Sequence, residues 1–189
     1  MGCLSSPKIA DPQEQIRLLS NLKKEVLKTI ETNMIKISNA EKDIQEIDEN
    51  KKQIENDLVQ NQYSYSEAEK LEKAHKILEL KADLERVKYS FDLFNKHNEN
   101  FKDFLSMIDA KIEEMKNNGI LTRQNDIMAK EENADVTPLF RKSYEDLLKQ
   151  QRKDEERLKL FHYKNNEFGT ANELLKQILG NGTDGVPPA

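Results

Sequence analysis

The fold follows from residues 16–61, which read IRLLSNLKKEVLKTIETNMIKISNAEKDIQEIDENKKQIENDLVQN. A seven-residue repeat runs through this stretch, and its two seam positions, a and d, are mostly apolar. Position a is occupied by Ile16, Lys23, Ile30, Ile37, Ile44, Lys51 and Leu58, and position d by Leu19, Val26, Asn33, Ala40, Ile47, Ile54 and Asn61. Sustained heptads with charged residues between them are typical of coiled-coil helices. We therefore predict one long helix, starting at Asp11-Pro12, where Asp can cap and Pro suits the first turn.

A second heptad run covers residues 77–115, out of phase with the first. Its a positions are Ile77, Leu84, Phe91, Asn98, Leu105 and Ile112, and its d positions are Leu80, Val87, Phe94, Phe101, Ile108 and Met115. The phase break matches none of the insertions that a continuous coiled coil absorbs. Ser66 and Glu69 form a capping box that would restart a helix. The sequence thus predicts an all-α fold in which residues 12–119 form an antiparallel coiled-coil hairpin, about 75 Å long at 1.5 Å per residue, with its turn near 62–67.

Folding the chain back at Tyr65–Ser66 places unusual seam residues opposite each other. Asn33 then faces Asn98, and the small Ala40 faces the large Phe91. A buried polar pair fixes register at some cost in stability, while a small residue against a large one fills space without strain. We predict that Asn33 and Asn98 set the register of the hairpin.

The remaining chain predicts two further helices. Gly119 is expected to end the second helix, since Gly is favoured just past a helix end, and residues 120–136 to connect it to a third helix over 137–168. The apolar stripe of that third helix is interrupted by Gln151 and Asp154. Gly169 and the capping box Thr170–Glu173 predict a short amphipathic helix over 170–179, followed by a Gly- and Pro-rich tail, 180–189, that we expect to be disordered.

The short helix is a candidate for docking to a protein partner. It carries Leu174, Leu175, Ile178 and Leu179 just before a flexible end, as in peptides that bind the groove of another protein. The alternative is that it packs on the third helix of its own chain.

The first eleven residues predict a lipid anchor. Gly2 follows Met1 and Ser6 stands where the N-myristoylation pattern requires Ser or Thr. One myristoyl chain binds a membrane weakly, so stable attachment needs a second signal. Cys3 is the single cysteine of the chain and is the candidate for palmitoylation; the alternative is an incidental thiol.

Composition narrows the possible classes of protein. The chain has 189 residues, of which 36% are hydrophobic and 34% charged, with no Trp and a net charge of -5. One cysteine excludes a disulfide scaffold and a Cys-based zinc site, and the net negative charge argues against nucleic-acid binding. His75, His97 and His162 are far apart in the sequence, and no phosphate loop or nucleophile elbow is present. We expect a protein that is not an enzyme, with no cofactor, metal or small-molecule substrate.

An N-acylation site, a long helical hairpin, a shorter helical region and a leucine-rich last helix together resemble the ESCRT-III family, in particular its myristoylated charged multivesicular body proteins. The resemblance is architectural, and Gly2 is the one residue that matches specifically. It implies assembly on endosomal membranes, recruitment by an upstream ESCRT complex, and binding of the last helix to an AAA ATPase or its cofactor. The first helix departs from the basic first helices of that family, because residues 13–60 hold ten acidic and eight basic side chains.

Two other classes of function fit the same features. One is a static acylated coiled-coil scaffold at a membrane or cytoskeletal structure, and the other is a tether or SNARE-like component whose heptads pair with other chains. In all three classes we expect the protein at the cytoplasmic face of a membrane, endosomal or plasma, and otherwise in the cytoplasm. Its partners would be the membrane, through the acyl chains, and proteins or further copies of itself, through its helices.

Overall fold

A computed structural model describes residues 11–124, 135–161 and 167–180, with side chains described as far as 119 in the first range. These ranges contain four α-helices and no strand: α1 Pro12–Asn61, α2 Glu67–Gln124, α3 Thr137–Lys159 and α4 Ala171–Leu179. The predicted all-α class is confirmed. No helix within these ranges is long and apolar enough to span a bilayer.

Local capping explains where the helices begin. The Asp11 carboxylate accepts a hydrogen bond from the Gln13 backbone N–H at 3.1 Å. Ser66 and Glu69 form a reciprocal capping box at the start of α2, and Thr170 and Glu173 form another at the start of α4. Each side chain satisfies a backbone N–H that has no partner within its helix.

Two helix ends differ from those expected from the sequence. α2 continues through Gly119 to Gln124, because Gly119 does not adopt the positive φ seen at Gly169 and Gly180. A glycine ends a helix when it takes up the left-handed conformation, and otherwise only weakens it. α3 ends at Lys159 and not at 168. The backbone N–H groups of Leu160 and Phe161 then donate hydrogen bonds to the carbonyls of Arg157 and Leu158, three residues earlier, as in a 3₁₀ turn.

The described residues fall into two compact units. Those within Met1–Ile35 and Phe94–Glu155 form unit 1, and those within Lys36–Leu93 and Glu156–Ala189 form unit 2.

The core of unit 1 is built from α1, α2 and α3. Its buried apolar residues are Leu19, Leu22, Val26, Ile30, Phe101, Phe104, Ile108, Ile112 and Tyr144. Tyr144 anchors α3: its ring stacks on Phe104 with centroids 6.3 Å apart, and its hydroxyl lies 2.7 Å from the Thr29 hydroxyl. At the rim, Arg141 donates two hydrogen bonds to Glu25, at 2.7 and 3.0 Å, which lowers the pKa of that carboxyl. Apolar contact with a polar rim therefore holds α3 on the other two helices.

The core of unit 2 is smaller and brings α4 onto α1 and α2. It contains Leu58, Ala74, Ile77, Ala171, Leu174 and Leu175. Beside it, Asp57 accepts hydrogen bonds from Tyr65, from Asn61 and from Lys73, the last at 2.8 Å. These hydrogen bonds, of which the one from Lys73 has the largest effect, lower the pKa of Asp57 to about 2. This carboxylate fastens the turn between α1 and α2.

The core of unit 1 predicts a contrast between two isoleucines. Ile108 is fully buried, so Ile108→Ala should lower the free energy of unfolding by about 2–5 kcal/mol through lost burial and a residual cavity. Ile35 is 64% exposed, so Ile35→Ala is the matched control and should change that free energy by less than about 0.5 kcal/mol. Urea unfolding followed by far-UV circular dichroism measures both, and equal losses would contradict the packing described.

Candidate functional site

Buried polar side chains from three helices meet inside unit 1. Asn33 of α1 is 1% exposed, His97 and Asn98 of α2 are 4% and 3% exposed, and Gln151 of α3 is 8% exposed. Asp154, one turn after Gln151, approaches His97. We call these five residues the polar layer. A fully buried polar group is costly unless it is hydrogen-bonded, so such a group favours the one packing that satisfies it.

The amides of the polar layer are satisfied unequally. Asn33 and Gln151 exchange two hydrogen bonds, each 3.0 Å long, and Gln151 also donates to Glu155 at 2.7 Å. Asn98 donates to the backbone carbonyl of Ile30 at 3.3 Å, while its own side-chain oxygen is buried with no hydrogen-bond partner. The Asn33–Gln151 pair therefore ties α3 to α1, and the Asn98 bond ties α2 to α1.

The two asparagines singled out in the sequence are thus both interior residues. Their observed hydrogen bonds go to Gln151 and to the Ile30 carbonyl. The functional residue that the sequence does not single out is Gln151, which looks like an interruption of the apolar stripe of α3 in the sequence. The spacing along α3 is the signal that could have identified Gln151, since Tyr144 and Gln151 lie seven residues apart on one face of the helix and both are buried.

His97 is the titratable group of the polar layer. Its Nε2 lies 3.3 Å from the Asp154 carboxylate but lacks a hydrogen-bond partner. Burial lowers the pKa of His97 below its usual 6.5, and the carboxylates of Asp154 and Glu155 oppose that shift without cancelling it. The imidazole is therefore neutral at neutral pH, because the free-energy cost of burying a cation here exceeds the stabilisation that the two nearby carboxylates give to it.

The predicted docking helix α4 is held by its own chain. Leu174 and Leu175 are buried, and Ile178 and Leu179 pack partly buried against the same cluster. The surface they cover is formed by Leu58 of α1 and by Ala74 and Ile77 of α2, where the small Ala74 leaves room for larger side chains. The apolar cluster around α4 contains no residue of α3, so the alternative of packing on the third helix is not what the described contacts show.

Unit 2 also has an open cleft of about 570 Å³, lined by Ile54, Tyr65, Glu69, Glu72, Lys73, His75, Lys76 and Glu79. Its two lysines are paired with carboxylates, Lys73 with Asp57 at 2.8 Å and Lys76 with Glu79 at 3.3 Å. Charged side chains of both signs line the cleft, so it does not concentrate a field of one sign that would select a charged ligand.

The remaining predicted sites concern lipids and metals. Gly2 and Cys3 lie outside the described residues. Within the described ranges, His, Cys, Asp and Glu side chains form no group of three that could hold a metal ion.

Comparison with known proteins yields no relative. No family model matches the chain, and neither the curated proteins nor the solved structures contain a match.

The polar layer predicts that Gln151→Ala is destabilising. The change leaves the buried Asn33 amide without its hydrogen-bond partner, so we expect a loss of about 1–3 kcal/mol in the free energy of unfolding. Gln53→Ala is the matched control, because Gln53 is an exposed residue of α1 outside the polar layer. The double variant Asn33→Leu/Gln151→Leu removes both partners and should recover most of the loss. Chemical denaturation measures all three, and a neutral Gln151→Ala would contradict the pairing.

The α4 contact predicts that Leu174→Ala releases the helix. Leu→Ala at a buried site costs about 2–5 kcal/mol, and a helix of nine residues is marginal in water without its packing. Backbone amides of 171–179 should then exchange hydrogen much faster, as read by mass spectrometry, while amides of α3 stay protected. Gln177→Ala, at an exposed position of the same helix, should leave exchange unchanged, and equal effects of the two variants would refute the contact.

Proposed function

We propose that this chain is a non-enzymatic, N-acylated helical protein that attaches to the cytoplasmic face of a membrane and assembles there with proteins, in the manner of an ESCRT-III subunit. The observation that carries the proposal is the acylation pattern of Gly2, Cys3 and Ser6 on a chain whose described helices bury their main apolar clusters against one another. Anchoring then falls to the lipids, and the exposed helix surfaces are left for partners.

Two acyl chains account for membrane attachment without a spanning helix. A myristoyl group on Gly2 supplies weak, reversible binding, and a palmitoyl group on Cys3 makes the binding stable. The cysteine thioester is reversible, so attachment can be regulated.

The pairing of α1 and α2 bears on the choice between the proposed classes. Lys23 lies 2.6 Å from Asp109, and in unit 2 Asp57 lies 2.8 Å from Lys73. Each unit thus contains an ion pair between α1 and α2, which supports the proposal that the two helices use their seams for each other. The tether or SNARE-like reading requires that seam for other chains, so it is the least favoured of the three.

α4 is the element that we propose binds a protein partner. Its four apolar residues form a compact ligand of the kind that enters a hydrophobic groove, and in the free chain they are covered by α1 and α2. A partner must therefore compete with an intramolecular contact, which lowers its apparent affinity by the fraction of chains in which α4 is free.

One observation favours the static scaffold as the second candidate. The ten acidic and eight basic side chains of residues 13–60 leave the first helix without the positive excess that attracts anionic lipids. A scaffold held only by its acyl chains does not need that excess.

Localisation in cells tests the anchor. Gly2→Ala abolishes N-myristoylation and should move the protein from membranes to the soluble fraction, whereas Cys3→Ser should leave weak attachment that is lost on washing. Ser5→Ala, next to the required Ser6, is the matched control and should stay on membranes. Fractionation with acyl-chain labelling reads all three variants, and an unchanged membrane fraction for Gly2→Ala would refute lipid anchoring.

Polymer formation on membranes distinguishes the ESCRT-III hypothesis from the scaffold hypothesis. The myristoylated protein, sedimented with and without anionic vesicles, should form polymers on vesicles if it is a filament subunit. A stable monomer or dimer on the same vesicles supports the scaffold and excludes the filament. Proximity labelling from the wild-type protein then identifies its neighbours, and endosomal sorting components are the expected set for an ESCRT-III subunit.

A further inference from the structure

The polar layer holds a histidine at the place where α3 closes over α1 and α2. His97 is 4% exposed, and its Nε2 has no hydrogen-bond partner although Asp154 lies 3.3 Å away. The neighbouring Asn98 oxygen is buried and also lacks a partner. A layer with two unsatisfied polar atoms is only weakly held compared with one that is fully paired.

The charges that act on His97 come from two of the three helices. α3 contributes the carboxylates of Asp154 and Glu155, which favour a charged imidazole, and α2 contributes Lys96, which opposes it. α1 faces the layer with the uncharged amide of Asn33, and its nearest charged residues along the chain are Glu31 and Lys36.

We propose that protonation of His97 loosens α3 from α1 and α2 in unit 1, so that the polar layer acts as an acid-sensitive latch. A neutral imidazole is compatible with a dry layer between three helices. An imidazolium must recover solvation, and it gains that only when α3 moves away. This device is independent of the lipid anchor and of assembly on membranes.

The sign of the effect follows from proton linkage. In the closed state burial places the pKa of His97 below 6.5, whereas the solvated imidazole of the open state has its ordinary value. The open state therefore binds the proton more readily, and closure weakens as pH falls from about 6.5 towards the pKa of the closed state. Within that window the opening equilibrium shifts by up to about tenfold per pH unit, and closure is fully restored above it.

Release of α3 would uncover a defined apolar surface. Tyr144 stacks on Phe104 and meets the edge of Phe101, and Phe140 contacts Phe104. These contacts break together with the Asn33–Gln151 pair, since all of them join α3 to the other two helices. The contact of α4 in unit 2 involves none of these groups and serves as an internal reference.

Hydrogen exchange of the full-length protein, corrected for intrinsic rates, tests the latch. Between about pH 7.5 and about pH 5.5, opening of α3 over residues 139–153 should increase by up to about tenfold, with α4 protected throughout. His97→Gln keeps a neutral polar side chain and should remove the pH dependence. His75→Gln, at an exposed position of unit 2, is the matched control and should retain it.

Two further readouts keep the proposal open to refutation if His97→Gln folds poorly. An NMR titration of wild-type protein should give His97 a pKa below 6.5, and a value above 6.5 would overturn the latch because protonation would then tighten the layer. Asp154→Asn removes the nearest carboxylate that favours the charged form, so α3 should open at least as readily in acid. Loss of the acid response in Asp154→Asn, or α3 exchange that does not change with pH in the wild type, would equally contradict the proposal.

Discussion

Unit 1 depends on the burial of a narrow apolar face that α1 and α2 share. In a chain with 34% charged residues, such a face removes the apolar surface from water that is needed to order the parts of α1 and α2 that lie in this unit. Leu19, Val26 and Ile30 of α1 share one core with Phe101 and Ile108 of α2. α3 adds its own apolar residues to that core, and its position is fixed by Tyr144 and by the Asn33–Gln151 pair.

The sequence carries the local part of this architecture. Heptad periodicity predicts the helices, and the capping boxes at Ser66 and Thr170 form as expected, because capping depends only on neighbouring residues. Gly119 does not end α2 as its residue type suggests: a glycine ends a helix only if the chain turns there, and here α2 continues to Gln124. A glycine in isolation does not carry that information.

The contacts between helices cannot be predicted from the residue pattern of one helix alone. Gln151 and Asp154 look like interruptions of the α3 stripe as long as the opposing surface is unknown. They become intelligible only when Asn33 and His97 are found facing them. The packing site of α4 is likewise not predictable from the sequence of α4 alone. Leu174 and Leu175 could enter any apolar groove, and only the structure shows that Leu58, Ala74 and Ile77 provide it. Acylation of Gly2 and Cys3 remains a prediction from the sequence.

The pairing of α1 with α2 inside one chain is tested most directly by a zero-length cross-link. The Lys23 ammonium and the Asp109 carboxylate are 2.6 Å apart, so carbodiimide should join them as an amide without any substitution. In isotopically light and heavy protein that has been unfolded and refolded together, we expect the Lys23–Asp109 peptide pair with both halves light or both heavy. If the two helices met between molecules, random exchange of the chains would yield a large share of pairs that join light to heavy, and the intramolecular fold would be refuted.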